Sequence, residues 1–399
     1  MDSELRIAVV VSHPIQHFCP QYASFARNPR IRLKVFFASA LGLRKYVDPG
    51  FRQEVFWGNL RLESFEHEFL NGETIIAPDK NIDAPSLESA LKNYKPGLII
   101  IYGYFQKLQR RAHRWAVRNK IPLAYISDSE KRQHRNALYR LLKYPFIRSY
   151  FSKVQFFLSV GDANESFYRG YGVRSSQFIR MHFPIDIDAY EKAFSERKRL
   201  RDSTRGKYQI EEHEIVLSVV GKLVSWKNQD HIIEALEILE SRGLYFHLFI
   251  IGSGNKLEEW KAKSGSLKKS RVHFPGFISI DELPAYYAAT DIYTHPASIE
   301  PHSIAISEAI YMGCPVIISN RCGSYGDSDD VQEGKNGYVF EFGNITELAD
   351  KIQVLGTNAD LRSKMSEYSH RISVAFQELS HFAVIGNLTA KVKQMDLQR

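Results

Sequence analysis

Short runs of β-branched and aromatic residues alternate along the chain with longer stretches of helical period. A first set covers 7–12, 33–39, 98–103, 123–127 and 156–160; a second covers 214–220, 246–252, 271–276, 292–298, 315–320 and 337–341. These runs are continuously apolar, which suits parallel strands covered on both faces and joined by crossover helices. The pattern predicts an α/β protein made of two doubly wound, Rossmann-like parallel-sheet domains facing across a cleft. The stretch 184–212 is polar, charge-rich and without a strand signal, so the seam is expected there. From Thr346 to the end the period is helical throughout. The expected division is 1–195, 196–375 and a closing helix over 376–399 that is a candidate to cross back to the first domain. Ligands of such folds bind at the carboxyl ends of the strands, so function is to be sought in the loops that follow them.

Composition narrows the class. The 399 residues suit two ordinary domains, and 44% hydrophobic with 25% charged residues is average for a globular chain, which excludes global disorder and fibrous structure. No apolar run reaches the length needed to cross a bilayer, and Asp2 and Glu4 precede a six-residue apolar run, so the start reads as a first strand. Three scattered cysteines, Cys19, Cys314 and Cys322, fit a reducing compartment, and a cytoplasmic location is expected. The net charge of +8 is uneven: 107–153 holds thirteen Lys/Arg against Asp128 and Glu130, a local +11 that leaves about −3 for the rest. A basic block of this kind points to an anionic lipid surface or an acidic acceptor rather than to nucleic acid. Within 135–154, Leu138, Leu141, Leu142, Phe146 and Ile147 recur near helical spacing beside Arg140, Lys143 and Arg148, as in a helix lying on a membrane. The plainer reading makes those apolar residues part of the first domain's core.

The most informative stretch is SIEPHSIAISEAIYMGCPVIIS, from 298. Glu300 closes a strand–loop segment and Glu308 stands about one and a half turns into a helix opening near Pro301–Ser303. The N–H groups of Ser303 and Ile304 would then be free to meet phosphate, with a carboxylate above them to accept from sugar hydroxyls. The plainer reading leaves Glu308 in solvent. Upstream, VVGKLVSWKNQDHIIEAL (219–236) sets two lysines around a turn, where their charges can hold a diphosphate. With FIIGSGNKLEEW (249–260), VHFPGFIS (272–279) and DELPAYYAATDIYTHPAS (281–298), these blocks resemble, in order, the donor half of retaining glycosyltransferases of family 4, which have the GT-B fold.

That resemblance implies a first domain for the acceptor and a second for a nucleotide-sugar donor. It implies a donor set of Gly221, Lys222, Lys227, Phe277, Glu300, His302, Ser303, Ile304 and Glu308, with Lys222 standing where the family often has Arg. Glu300 is expected at the transferred sugar, Glu308 at the ribose, and Glu300, Lys222, Lys227 and His13 in catalysis. In the first half, SHPIQHFCPQY follows the first strand; the family commonly has glycines here, and their absence makes His13, Gln16 and His17 candidates for side-chain contact. Tyr104 and Asp128 follow later strands and are further acceptor candidates, although Asp128 also reads as a helix N-cap.

Two tempting motifs are set aside. Gly252-Ser253-Gly254 lacks the third glycine and the distant acid of a dinucleotide fingerprint. Asp327 and Asp329 form a D-x-D triplet, but the lysines and helix terminus already neutralise phosphate, so no metal and no further cofactor is expected. The implied activity is retaining transfer of a hexosyl unit, from a UDP-sugar more readily than a GDP-sugar, to a glycan or lipid-linked acceptor in polysaccharide biosynthesis. A nucleotide-sugar epimerase of similar form and a non-catalytic glycan- or lipid-binding protein are the alternatives.

Overall fold

A computed structural model describes residues 4–48, 53–55, 60–132 and 137–397. Seven parallel strands form the first sheet, in the spatial order Glu66–Glu73, Ile31–Phe37, Leu5–Val11, Leu98–Tyr102, Leu123–Ser127, Phe156–Ser159 and Phe178–Arg180. Six parallel strands form the second: Arg271–Gly276, His247–Ile251, Val216–Val220, Ile292–His295, Val316–Ser319 and Gly337–Phe340. Every run read from the sequence is a strand. Among the described residues four more strands were not legible: a small antiparallel pair, Tyr46–Asp48 and Gln53–Val55, and two strands of the first sheet. Glu66–Glu73 is an edge strand of mixed polarity, EHEFLNGE, with one fully buried residue; Phe178–Arg180 spans only three residues. Neither produces the continuous apolar run that a doubly covered central strand requires.

Each sheet is covered on both faces. In the first domain, Ile7, Val9 and Val11 face one core while Ala8 and Val10 face the other, as the two-residue period of a strand dictates. The polar stretch expected to hold the seam contains two helices, Ile187–Ser195 and Arg197–Lys207. At the C-terminal end, helices Ile345–Thr357 and Ala359–Glu378 flank the second domain. A π-type turn over Leu379–Ala383 then leads into helix Val384–Leu397, whose Val384, Ile385, Leu388 and Val392 lie in the first domain's core with Ile7 and Val9. Gln21 donates to the Ser380 carbonyl at 2.7 Å, fixing this return.

The basic stretch splits in two. Ile147, Tyr150 and Phe151 of helix Ala137–Phe151 are core residues, but Leu138, Leu141, Leu142 and Phe146 are 62%, 70%, 70% and 48% exposed. Neither sequence reading was complete: the helix has a core face and a bare apolar face. Arg135 lies outside the described residues. Several of the cations have internal duties. Arg111 pairs with Asp83 and Glu88, and Arg110 donates to the carbonyls of Tyr104 and Phe105. No helix among the described residues is long and apolar enough to cross a membrane.

Candidate functional site

A cavity of about 960 Å³ opens between the halves, at the carboxyl ends of both central strands. From the first domain it takes the loop after Leu5–Val11, including His13, Gln16 and His17. From the second it takes Gly221, Lys222, Lys227, Phe277, Glu300, His302, Ser303, Ile304 and Glu308. The whole donor set expected from the sequence therefore lines one space. Tyr104 and Asp128 do not line it. Tyr104 packs against Phe146, Tyr150 and Phe151, and Asp128 is exposed elsewhere along the seam. Asp128 is not a helix cap either, because the next helix begins at Ala137.

Glycine geometry builds the cavity wall. A Cβ on Gly252 would lie 1.9 Å from the Gly221 carbonyl oxygen, and one on Gly254 would lie 2.3 Å from that of Leu223. The G-S-G turn thus exists so that the loops after neighbouring strands can touch. That contact places the turn Ser225–Lys227 beside the loop at 298, where the Ser298 N–H donates to the Trp226 carbonyl at 2.9 Å.

Lys227 is the direct partner of Glu300, forming an ion pair in the floor of the cavity. His295, at the end of strand Ile292–His295, donates from Nε2 to the same Glu300 oxygen at 2.9 Å, since a carboxylate can only accept. Its Nδ1 then accepts from the Tyr293 hydroxyl at 3.3 Å. Burial would raise the Glu300 carboxyl, but the His295 hydrogen bond and the Lys227 charge outweigh it and hold it at about 2. Glu300 is therefore ionised throughout the physiological range. The sequence analysis missed His295; a histidine five residues before Glu300 at a strand's end was the available signal.

Glu308 has the opposite environment. It is buried, contrary to the plainer reading, and accepts from Tyr287 at 2.9 Å. Burial pushes its carboxyl up to about 7, and the tyrosine hydrogen bond offsets only part of that. Helix Ile304–Tyr311 carries it, as expected, with Ser303 as N-cap. The expectation of two free N–H groups needs correction: the Ser303 N–H donates to Ser324 Oγ at 3.0 Å. Ile304, the first helical residue, faces the cavity.

On the opposite wall, His13 bonds through Nδ1 to Ser12 Oγ at 2.9 Å, and burial lowers it to about 4. His17 stands at the N-cap of helix Phe18–Ala26 without a side-chain cap bond, and packs on Phe18 and Phe183. Burial, then the neighbouring His13, lowers it to about 4 as well. Both imidazoles are neutral at physiological pH. They offer hydrogen bonds without charge, whereas the second-domain wall offers charge.

Residues 201–371 match the family described as Glycosyl transferases group 1. The second domain is thus similar to that family over nearly its whole length. Spore coat protein SA of Bacillus subtilis is 29% identical over 198 residues, 47% of this chain and 51% of that protein. A GDP-mannose-dependent alpha-(1-6)-phosphatidylinositol monomannoside mannosyltransferase of Mycobacterium tuberculosis is 29% identical over 184 residues, 44% of this chain and 46% of that one. The chain thus spans about half the length of the curated relatives it matches. At the level of fold, Anabaena Alr3699/HepE in complex with UDP superposes with a TM-score of 0.69 at 16% identity, covering 98% of this chain and 100% of that one. The architecture is GT-B. In this GT-B chain the second domain supplies the charged wall of the cavity and the first domain its neutral, histidine-bearing one.

Proposed function

We propose that the chain is a retaining glycosyltransferase that moves a hexosyl unit from a nucleotide diphosphate sugar, UDP-linked more readily than GDP-linked, to a glycan or lipid-linked acceptor. The observation that carries the reading is the convergence of Lys222, Lys227, Glu300 and Glu308 on one cavity between the domains. Lys222 and Lys227 take the diphosphate, and Lys227 exchanges its Glu300 partner for phosphate as donor enters. Their charge stabilises the leaving diphosphate as the glycosyl bond breaks. Glu308 accepts from the ribose hydroxyls. Glu300, kept ionised by His295, accepts from hydroxyls of the transferred sugar and orients it. With Lys227 drawn to phosphate, Glu300 keeps the His295 hydrogen bond and is occupied by the sugar hydroxyls; attack from the face of departure, with the leaving phosphate taking the acceptor proton, fits this set better than a covalent intermediate.

His13, Gln16 and His17 contact the acceptor or the departing phosphate, and no metal serves the diphosphate. The acceptor domain is 1–195, the donor domain 196–375, and the closing helix 376–399. The bare apolar face of helix Ala137–Phe151, with exposed Arg140 and Arg148, docks the first domain on an anionic membrane near a lipid-linked acceptor. The deciding experiment supplies UDP- and GDP-hexoses without acceptor and follows release of nucleoside diphosphate, with and without divalent cation. Slow release from a UDP-hexose, unaffected by omitting cation and lost in Glu300→Gln, is the expected result. Turnover of no hexose donor overturns the reading.

A further inference from the structure

Beside the cavity residue His302 lies a buried polar cluster whose other members do not line the cavity. It holds His182, on the segment leaving the first sheet, and His302, Asp329 and Asp330 of the second domain. Each side chain is at most 2% exposed. His302 Nε2 is 3.3 Å from Asp329 Oδ1 and 3.7 Å from Asp330 Oδ2, and His182 Nδ1 is 3.7 Å from Asp330 Oδ1. His182 Nδ1 is fully buried without a hydrogen-bond partner. Donor atoms of His182, Asp329 and Asp330 all lie within 4.8 Å of one another.

These distances are too long for good hydrogen bonds and suit ligands sharing an ion. N/O donors at about 2.0–2.1 Å from a tetrahedral zinc ion stand about 3.4 Å apart, close to the separations seen here. An orphaned buried imidazole nitrogen aimed at a carboxylate costs on the order of 1–3 kcal/mol unless something takes its lone pair. Charge argues the same way. Two carboxylates are buried here side by side, and a divalent ion bound between them offsets their charge. Each carboxylate also has a hydrogen-bond partner that fixes it: the Asp162 N–H donates to Asp329 Oδ2 at 2.8 Å, and Ser307 Oγ donates to Asp330 Oδ2 at 2.6 Å. Partners of this kind orient metal ligands.

We infer that His182, Asp329 and Asp330 form a buried structural site for a divalent first-row transition ion of the zinc class, with His302 hydrogen-bonded at its edge, which ties the first domain to the second. Imidazole and carboxylate donors without thiolate select this class, and the lack of solvent access suits a structural rather than a catalytic ion. The site is separate from the diphosphate, whose handling needs no metal. Its effect is on the seam, because His182 belongs to one side and the other two ligands to the other. It extends a clasp already present there: Arg132 donates to the carbonyls of Cys322 and Tyr325 at 3.0 and 3.1 Å, and Asp162 accepts from Ser328 Oγ at 2.6 Å.

The test is calorimetric titration of the chelator-stripped full chain with Zn²⁺, with metal content measured after dialysis. One ion per chain is expected to be retained, with affinity at least about tenfold weaker in His182→Gln and in Asp329→Asn. UDP affinity in His182→Gln, measured without metal, serves as the folding control. Equal zinc binding by the wild type and a folded variant overturns the site. If neither variant folds, the wild type decides alone: no retained ion after saturation with Zn²⁺ also overturns it.

Discussion

The two domains share one topology and meet at one cavity, yet they furnish it differently. The second domain brings two lysines and two glutamates, and its loops come together because Gly252 and Gly254 allow neighbouring turns to touch. The first domain brings His13 and His17, both neutral by burial, on a loop that contains no glycine. The difference has a chemical sense: a diphosphate demands fixed cations and oriented carboxylates wherever it binds, whereas an acceptor hydroxyl demands only hydrogen bonds and shape. Within the second domain a finer contrast repeats the lesson. Glu300 and Glu308 lie eight residues apart, but a histidine and a lysine hold the half-buried Glu300 near 2 while burial, only partly offset by tyrosines, raises Glu308 to about 7.

The largest effect is expected from the charged wall. Glu300→Gln should lower turnover by about 10²–10³-fold with a much smaller change in donor KM, by analogy with removal of one preorganised electrostatic group. His13→Ala should leave donor affinity intact and cost about tenfold or less in turnover with acceptor. Equal losses in the two variants, measured in parallel steady-state assays, would break the division of labour between the domains.

A smaller effect tests the two carboxylates against each other. Glu308→Ala should weaken UDP binding by tenfold to over a hundredfold, the equivalent of about 1.5–3 kcal/mol for a charge-assisted hydrogen bond. Because burial raises the Glu308 carboxyl to about 7, the folded state binds a proton more tightly there than the unfolded chain. Its contribution to stability therefore falls as pH rises from about 4.5 to 7, and Glu308→Gln should remove that fall. Glu300 has the reverse sign: its contribution is present above about 4.5 and is lost as pH falls towards 2. Thermal unfolding across pH checks both. A Glu308→Gln profile that parallels the wild type contradicts the assignment.

The smallest effect concerns the first domain's outer surface. Arg140→Glu should weaken binding to anionic vesicles at low salt by at least about fivefold, as each cation near such a surface contributes about 1 kcal/mol. Leu141→Ser should weaken it at low and high salt alike. Donor hydrolysis should be unchanged in both. Co-sedimentation with neutral and anionic vesicles reads this, and wild-type protein that ignores anionic vesicles at low salt removes the membrane from the picture.

The eleven apolar runs, the two lysines flanking a turn and the Glu300–Glu308 spacing were all present in the amino-acid sequence. Continuous hydrophobicity is what a doubly covered strand requires, and fixed spacing on one loop and helix survives folding unchanged. The edge strand Glu66–Glu73 escaped because one side of it is solvated. Tertiary structure alone decided what each group faces. Tyr104 follows a strand like any site residue, yet the helix packed above it turns it into the core. His295 reads as one more strand residue until the fold sets it against Glu300. His182 and Asp330 are 148 residues apart, and no local pattern links them. Their meeting depends on how the two sheets dock, which side-chain periodicity along either one does not encode.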